Sequence, residues 1–251
     1  MAVDLLPPIV AHRGASATAP ENTLAAFGRA AQLGATWIEF DVRLARCGTP
    51  VVIHDPTLER TTNGHGPVDE SSADALAGLD AGAWFGDAFA GEGVPTLAAT
   101  LSFAEAHGLG CNVEVKAESI ERAETTAAAI APLLLVSGAA YLVSSFALEA
   151  LRTIRALAPT IRLGLLVGRR TTTEDVVLAR QMGCVSFHAH ARAYDGRLIE
   201  KLRTTELWPV AYTVNDPRHA RDLLELGVKT IITDRPAELA AGPIGFSRSD
   251  G

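Results

Sequence analysis

The sequence predicts an α/β fold, a (β/α)8 TIM barrel with a small capping insertion after the second strand. Short β-branched runs alternate with Ala- and Leu-rich amphipathic stretches almost throughout, a pattern typical of repeated βα units around a parallel sheet. Eight such units fit within the 251 residues, which is the usual size of a closed barrel. A doubly wound open sheet is the alternative architecture, although eight strands favour closure.

The predicted strands are short apolar runs bounded by polar or turn-forming residues. In chain order they are Pro8–Ala11, Trp37–Val42, Gly110–Val115, Ala140–Ser144, Ile161–Leu166, Cys184–Phe187, Trp208–Thr213 and Thr230–Thr233. Helical stretches lie between them at Glu21–Leu33, Ile120–Leu135, Ala147–Leu157, Asp175–Met182, Asp195–Leu202 and Pro217–Leu226. Asp216 and Pro217 are typical of a helix start, and Gly227 is typical of the residue that follows a helix end.

One interval between strand ends is much longer than the others. Most strand ends lie 20 to 30 residues apart, whereas Glu114 follows Asp41 by 73 residues. The excess predicts an insertion over approximately residues 55–95, whose sequence is rich in turn-forming residues. We expect this insertion to be an excursion over the barrel mouth without a core of its own, so that residues 1–251 form a single domain.

Composition and charge narrow the possible partners and location. Lys and Arg number 22 against 29 Asp and Glu, giving a net charge of −7, which argues against a nucleic-acid partner because such binding depends on clustered cations. No apolar run reaches the roughly 18 residues needed to span a bilayer. Cys47, Cys111 and Cys184 are widely spaced and the first residues lack a signal-peptide pattern, so we expect a cytoplasmic protein with reduced thiols. The sequence predicts no oligomeric state.

Two predicted strands carry acidic residues that an apolar barrel strand would not normally hold. Glu39 and Asp41 point to the same face because side chains alternate along a strand. Glu114 and Lys116 repeat this arrangement on the next barrel strand. Three converging carboxylates without a Cys/His cluster predict one divalent metal ion, Mg²⁺ or Ca²⁺. The alternative is a set of structural ion pairs, Glu114–Lys116 and Asp41–Arg13.

Two histidines follow apolar runs that end at the same predicted rim. His12 and His54 have an unperturbed pKa of about 6.5, which suits proton transfer near neutral pH. Arg13 and Lys116 lie next to the histidine and carboxylate motifs. Together with a metal ion, these cations would stabilise charge that develops on phosphoryl oxygens. The leading reaction class is therefore cleavage of a phosphodiester, with a small molecule as the substrate.

At these residues the chain closely resembles the glycerophosphodiester phosphodiesterase family, in particular its bacterial cytosolic members. The resemblance covers essentially the whole chain. The motifs that carry it are His12-Arg13-Gly14, Pro20-Glu21-Asn22-Thr23, Glu39-x-Asp41, Val51–Asp55, Leu58–Gly64, Asn112–Lys116, Ser144-Ser145-Phe146, Tyr212–Asn215 and Ile231–Pro236.

The resemblance implies a metal-dependent barrel that hydrolyses glycerophosphodiesters to sn-glycerol 3-phosphate and an alcohol. Carried over by position, three carboxylates would hold the metal, two histidines would be the general acid and base, and two cations would contact phosphate. The metal ligands would be Glu39, Asp41 and Glu114. The acid and base would be His12 and His54, and the phosphate contacts would be Arg13 and Lys116. The family also has a small insertion after the second strand, in agreement with the spacing.

Several alternatives stay open at this point. A lysophospholipase D-type phosphodiesterase, a non-catalytic phosphate-binding barrel and an aldolase-type barrel with Lys116 as a Schiff-base nucleophile would each use part of the pattern. Glu21 and Asn22 are expected to cap the first helix rather than line the site. His188 follows a predicted strand, where it is either a substrate contact or a solvated loop residue. Gly14 is expected to allow a tight turn beside the phosphate.

Overall fold

The computed structural model describes residues 5–241 and forms a closed barrel of eight parallel strands. Including one strand outside the barrel, the strands are β1 (Ile9–His12), β2 (Trp37–Leu44), β3 (Pro50–Val52), β4 (Gly110–Val115), β5 (Tyr141–Ser145), β6 (Leu163–Val167), β7 (Ser186–His190), β8 (Trp208–Tyr212) and β9 (Thr230–Thr233). Strand β1 pairs in parallel with both β2 and β9, which closes the sheet. The predicted barrel is confirmed, and the open-sheet alternative is wrong.

Helices surround the barrel and bury their apolar faces against the strands. They are α1 (Leu24–Gln32), α2 (Ala73–Ala77), α3 (Leu97–Ala106), α4 (Ile120–Leu135), α5 (Leu148–Leu157), α6 (Thr173–Gln181), α7 (Gly196–Thr204), α8 (Pro217–Leu226) and α9 (Pro236–Ala241). Side-chain caps start several of them: Ser119 accepts from the Arg122 amide at α4, and Asp216 accepts from the His219 amide at α8. None of these helices within residues 5–241 is long and apolar enough to cross a bilayer.

Strand alternation separates an apolar outer layer from a polar interior. On β2, Ile38, Phe40 and Val42 are fully buried in the large core between the sheet and the helices. The alternate residues Glu39 and Asp41 therefore point into the barrel. A second apolar cluster that includes Leu6, Val10, Val210 and Ile232 fills the other end of the interior. Polar chemistry is thus confined to the C-terminal ends of the strands, where barrel enzymes have their sites.

Strand β3 turns the chain back toward the barrel after β2. It pairs antiparallel with β2 through Val42 and Val52, and the Ile53 amide donates to the Asp41 carbonyl at 3.0 Å. This return places His54, the following residue, beside the strand that carries Glu39 and Asp41. Strand β3, which is not among the predicted strands, is therefore the element that positions the second histidine.

The segment from Ile53 to Pro95 forms the predicted insertion. It contains α2 and two 3-10 turns, and it returns where the Val52 amide donates to the Pro95 carbonyl at 2.8 Å. Unlike the expectation, it has a small apolar cluster with part of the β2–β3 hairpin. The buried members are Ala45, Val51, Ile53, Leu58, Val68, Leu76, Ala81 and Val94. The sequence did not predict this cluster because its apolar residues are spaced irregularly among turns. The expected single domain also includes residues 1–4 and 242–251, which lie outside the described residues.

The largest difference in a barrel strand is at β7, which was predicted to end at Phe187. The strand continues to His190 because alternate side chains face a polar interior that accepts His188. The His188 ring is fully buried and its Nε2 lies 2.8 Å from Ser186 Oγ. The solvated-loop alternative for His188 is therefore wrong, and its contact with a substrate stays a prediction.

Candidate active site

Three buried carboxylates meet inside the C-terminal end of the barrel. Asp41 and Glu114 are direct neighbours in the register of β2 and β4, and Glu39 lies two residues before Asp41 on the same face. Their relative exposures are 2% for Glu39, 0% for Asp41 and 7% for Glu114. One oxygen from each residue lies within 4.8 Å of the others, so the three side chains can share one ion. The structure thus brings together the three predicted ligands.

Two cationic side chains contact this acidic cluster. Lys116 Nζ lies 3.1 Å from Asp41 Oδ1 and 2.5 Å from Glu114 Oε1. Arg13 Nε lies 3.1 Å from Asp41 Oδ2. Burial by itself would raise the pKa of Asp41, but Lys116 and Arg13 hold it well below its usual range. Both ion pairs of the structural alternative are therefore present, and Asp41 is the residue they stabilise most.

Glu39 is the carboxylate that these ion pairs leave uncompensated. Its Oε2 accepts a hydrogen bond from the Arg13 amide at 3.1 Å, whereas its Oε1 is buried and has no hydrogen-bond partner among residues 5–241. Burial, followed by the charge of Asp41, raises the pKa of Glu39 to about 8. Burial and Asp41 also raise the pKa of Glu114. The cluster therefore has a deficit of positive charge that is centred on Glu39.

His12 is oriented by Asp234, which stands in the quoted Ile231–Pro236 motif but was given no role in the predicted site. Its Nδ1 lies 2.6 Å from Asp234 Oδ1, directly after β9, and its Nε2 lies 3.8 Å from Glu39 Oε2. Asp234 also accepts from Ser16 Oγ at 3.0 Å and from Asn215 Nδ2 at 2.6 Å. Burial by itself would raise the pKa of Asp234, but the hydrogen bond and charge of His12, together with the hydrogen bonds of Asn215 and Ser16, lower it to about 2. An ionised Asp234 can only accept, so Nδ1 carries the proton and Nε2 faces the site.

His54 has an equivalent partner in the residue that follows it. Its Nδ1 lies 2.6 Å from Asp55 Oδ1, and its backbone carbonyl accepts from Arg43 Nε at 2.7 Å. The side chain of Arg60 is the main reason that the pKa of Asp55 falls to about 2. Burial lowers the pKa of His54 despite the nearby charge of Asp41. Asp55 stands in a motif quoted from the sequence, but the His54–Asp55 contact itself has no sequence signal.

The expectation that Glu21 and Asn22 cap the first helix is wrong. Thr23 is the cap of α1 and accepts from the Ala26 amide at 3.2 Å. Asn22 has a φ of 60° and points back into the site, where its Nδ2 donates to Asp41 Oδ2 at 2.9 Å. Glu21 Oε1 accepts from Arg13 at 2.7 Å. Both residues hold site side chains because the turn after β1 reverses over the barrel end.

Gly14 makes that reversal possible. Its φ is +81°, and a Cβ atom at this position would lie 2.6 Å from the Ala26 carbonyl carbon. A glycine is needed for both reasons, backbone conformation and space. Arg13, directly before it, also has a positive φ of 54°. The conformation of this turn directs the Arg13 side chain toward Asp41 and its amide toward Glu39.

The site opens to solvent beside the first histidine. A cavity of about 380 Å³ is lined by residues that include His12, Arg13, Asn215 and Asp234. Its lining contains both cationic and acidic groups, which suits a polar, charged ligand more than an apolar one. His12 connects this cavity to the acidic cluster, since its Nε2 lies 3.8 Å from Glu39 Oε2, and His54 lines a separate small cavity together with Glu21 and Asn22. The arrangement can bind a cation, hold an anionic group with Arg13 and Lys116, and exchange protons through two imidazoles.

Comparisons with known proteins identify the family of this chain. Residues 12–238 match the profile of the Glycerophosphoryl diester phosphodiesterase family. A curated relative, the glycerophosphodiester phosphodiesterase of Caldanaerobacter subterraneus subsp. tengcongensis, is 35% identical over 237 residues, which is 92% of this chain and 95% of that protein.

Solved structures give the same result. A phosphodiesterase of Oleispira antarctica, in complex with the product sn-glycerol 3-phosphate, has a TM-score of 0.89 and 33% identity, covering 93% of this chain and 95% of that one. A glycerophosphodiester phosphodiesterase from Agrobacterium tumefaciens has a TM-score of 0.77 and 33% identity, covering 94% and 100% of the two chains. The likeness extends over the barrel and the insertion together.

Proposed function

The chain belongs to the glycerophosphodiester phosphodiesterase family and is an enzyme of that type, and from this premise we propose that it releases sn-glycerol 3-phosphate and an alcohol from its substrate. The product bound to the Oleispira antarctica enzyme supports this assignment. The single observation that carries the proposal here is the cluster of three buried carboxylates within 4.8 Å, with His12 Nε2 at 3.8 Å from Glu39 Oε2. A purely phosphate-binding barrel would need neither the uncompensated Glu39 nor two oriented imidazoles.

We propose that Glu39, Asp41 and Glu114 hold one divalent cation, Mg²⁺ or Ca²⁺. The residues fit such an ion because all donors are carboxylate oxygens, which both ions prefer. They also fit because Arg13 and Lys116 supply two positive charges against three negative ones. A bound cation would supply Lewis-acid polarisation of a phosphoryl oxygen. The ion-pair alternative explains the positions of Asp41 and Glu114, but it leaves Glu39 buried with no Lys or Arg side chain among residues 5–241 in contact and only His12 Nε2 nearby, at 3.8 Å.

Arg13 and Lys116 are proposed to bind the phosphoryl oxygens. Each already contacts Asp41, so each is held at the site before a substrate arrives. This preorganisation matters because a fixed cation stabilises developing charge without the cost of reorientation. The contacts of Lys116 with Asp41 and Glu114 raise its pKa despite burial, which keeps it protonated and disfavours the Schiff-base alternative.

His12 and His54 are proposed as the general acid and base pair. Asp234 and Asp55 each fix one ring through Nδ1, so the Nε2 atoms are the ones that exchange protons with the substrate. In the proposed reaction one histidine removes the proton from the glycerol 2-hydroxyl, whose oxygen attacks phosphorus to give a cyclic phosphate. The other histidine protonates the departing alcohol, and water then opens the ring. Direct attack by water is the alternative.

A coupled assay of sn-glycerol 3-phosphate release tests the function and the metal together. Diesters of choline, ethanolamine, glycerol and inositol would be assayed with Mg²⁺, Ca²⁺ or a chelator. We expect release that the chelator abolishes and one of the two ions restores. Full turnover after exhaustive chelation would overturn the metal assignment, and activity confined to micellar lysophospholipids would favour the lysophospholipase D alternative.

A substrate analogue that lacks the 2-hydroxyl tests the attacking group. We expect the wild-type enzyme to cleave glycerophosphocholine and to leave the analogue intact, because the internal nucleophile is missing. Equal rates on both substrates would show that water attacks phosphorus directly. The analogue should still compete with the substrate for binding, which shows that it enters the site.

A cytoplasmic location is proposed from the state of the cysteines. Cys47, Cys111 and Cys184 are all unpaired, and Cys47 is exposed. Disulfides are rare in the reducing cytoplasm, where an exposed thiol is tolerated. Fractionation of cells that express the protein would test this location.

A further inference from the structure

One arginine of the insertion forms four hydrogen bonds to two carboxylates at the edge of the site. Arg60 Nε donates to Asp55 Oδ2 at 2.5 Å, and its Nη2 donates to Asp55 Oδ1 at 3.0 Å. On its other edge, Nη1 and Nη2 donate to the two oxygens of Glu21, both at 2.8 Å. A planar guanidinium can serve two carboxylates in this way, whereas an ammonium group cannot.

The two carboxylates that Arg60 binds contact different parts of the site. Asp55 holds the ring of His54 at 2.6 Å. Glu21 belongs to the turn after β1 and accepts from Arg13 at 2.7 Å, so it is anchored to the barrel. Arg60 therefore joins the segment that carries His54 to the fixed frame of the barrel. The side chain of Arg60 remains 45% exposed, so it is not a core residue that packing alone would demand.

We propose that Arg60 is a positioning residue for the reaction, which fixes the His54 ring through Asp55 by using Glu21 as its anchor. This inference rests on the proposed catalytic role of His54. Arg60 does not contact the acidic cluster directly. Its effect is to limit the rotation of Asp55, and thereby to keep the His54 Nε2 atom in one orientation.

Arg60 is not needed merely to attach the insertion to the barrel. A second ion pair, between Arg122 of α4 and Asp69 of the insertion, also ties the insertion to the barrel. That pair reaches neither histidine. Arg122 is similarly exposed, at 43%, and offers a matched control that removes an attachment of the insertion without touching Asp55 or Glu21.

The test compares Arg60→Lys and Arg60→Ala with the wild-type enzyme on an alkyl glycerophosphodiester. We expect kcat to fall by about 10- to 100-fold in both variants, because small displacements of a reacting group have effects of this size. KM should change by less than about threefold, because Arg13 and Lys116 keep their own contacts with Asp41. Added guanidinium should restore part of the kcat of Arg60→Ala, since the vacated position is open to solvent, and should leave Arg60→Lys unchanged.

Two further variants separate the proposed pathway from other effects. Glu21→Gln should lower kcat in the same direction as Arg60→Lys, because it weakens the anchor, and it should also raise KM, because Glu21 holds Arg13 as well. Arg122→Ala should keep kcat within about twofold of wild type, and an equal loss in this control would show that attachment of the insertion, not the placement of His54, sets the rate.

The His54→Ala background distinguishes a failure of this inference from a failure of the proposed function. If His54 is catalytic and Arg60 acts through it, Arg60→Lys should cause no further loss in that background. Full activity of His54→Ala would overturn the proposed role of His54 itself. A large loss in His54→Ala together with wild-type kcat in Arg60→Lys would overturn only the role of Arg60.

Discussion

At the scale of single residues, the main feature of the site is an excess of negative charge in a buried cluster. Glu39, Asp41 and Glu114 lie within 4.8 Å of one another, while Arg13 and Lys116 offset only part of their charge. Like charges at this distance in a buried site destabilise the fold unless a proton or a cation reduces the repulsion. The raised pKa of Glu39 expresses this deficit, and it leads to a prediction about stability.

Glu39→Gln removes the uncompensated charge and keeps the side-chain size. Between its ordinary pKa of 4.5 and its raised value of about 8, folded Glu39 keeps a proton that the unfolded chain has lost, so the metal-free wild type should lose stability as pH rises across this range. The variant should lack this loss and melt at an equal or higher temperature near pH 8. Thermal unfolding of both proteins in chelator, from pH 5 to pH 8.5, measures the difference.

Adding Mg²⁺ or Ca²⁺ should reverse the order of stability, so that the wild type becomes more stable than Glu39→Gln. A ligand that binds only the folded state stabilises it by about 2.7 kcal/mol at a hundred times Kd. The wild type should gain such a shift, whereas Glu39→Gln should gain little and should have lost its activity. An identical cation-induced shift in both proteins would show that Glu39 is not a ligand.

A second residue-scale prediction concerns the cysteines. Hydrogen bonding to Thr49 lowers the pKa of the exposed Cys47 thiol to about 7, while burial raises those of Cys111 and Cys184 to about 12 and about 11. Because the thiolate is the reactive form, iodoacetamide should modify Cys47 alone in the folded protein, at a rate that rises as pH increases through about 7. Peptide mass spectrometry identifies the site. Modification of Cys111 at a comparable rate would contradict the burial described here.

At the scale of elements, the positions of side chains depend on how neighbouring strands meet. On the interior face, Gly164 of β6 lies between Ser144 of β5 and Ser186 of β7 in the strand register. A Cβ atom on Gly164 would lie 2.6 Å from both His188 Nε2 and Ser186 Oγ. The absence of a side chain on β6 therefore makes the space for the buried His188–Ser186 pair.

Gly164→Ala should consequently destabilise the protein, by about 1–3 kcal/mol, the usual range for overpacking a core. Gly168, just after the same strand, has nothing within 4 Å of its Cβ position and provides the matched control. Gly168→Ala should change stability by less than about 0.5 kcal/mol. Urea unfolding of both variants measures the free energies. Equal stabilities of the two variants would mean that His188 can move away without cost.

Element boundaries also show what sequence patterns can predict. Helices α4 and α8 have the predicted bounds, and each begins after a residue whose side chain caps it, Ser119 for α4 and Asp216 for α8. Strand β7 was predicted too short because two histidines interrupt its apolar pattern, although the polar barrel interior accepts one of them. An alternating or continuous apolar pattern predicts a barrel strand only where the barrel interior is apolar. The pattern fails at strand positions where polar site residues face the interior.

At the scale of the whole molecule, the barrel and the insertion differ in how they are stabilised. The barrel strands are joined by a closed ladder of hydrogen bonds and a large core. The insertion depends on eight buried apolar residues and a few attachments to the barrel. Local opening is easier where apolar contacts are few and the backbone lacks a sheet.

Hydrogen exchange should therefore distinguish the two parts. Amides within residues 56–94 should exchange at least about tenfold faster than those of β2, β4 and β5, because opening the insertion leaves the barrel ladder intact. Chemical unfolding of the barrel should still be a single transition if the chain is the one domain that we propose. Exchange from the insertion as slow as from the strands would show that the two parts open together.

The sequence by itself determined the eight barrel strands, six of the surrounding helices and the common face of Glu39, Asp41 and Glu114, whereas α3 and α9 were not among the predicted helices. It could do so because strand alternation and strand spacing are local, periodic properties of the chain. The residues proposed for the metal, the phosphate and proton transfer follow from these properties and from the family motifs.

Only the tertiary structure decided which side chains hold those residues in place. Asp234 lies 222 positions after His12, and Arg60 lies 39 positions after Glu21, yet each pair is in direct contact. Such contacts arise when the barrel closes and when irregular turns reverse direction. Neither event leaves a periodic pattern in the chain, so the distant contacts of Asp234 and Arg60 could not be predicted from their positions in the sequence, whereas Asp55, the partner of His54, is its immediate neighbour.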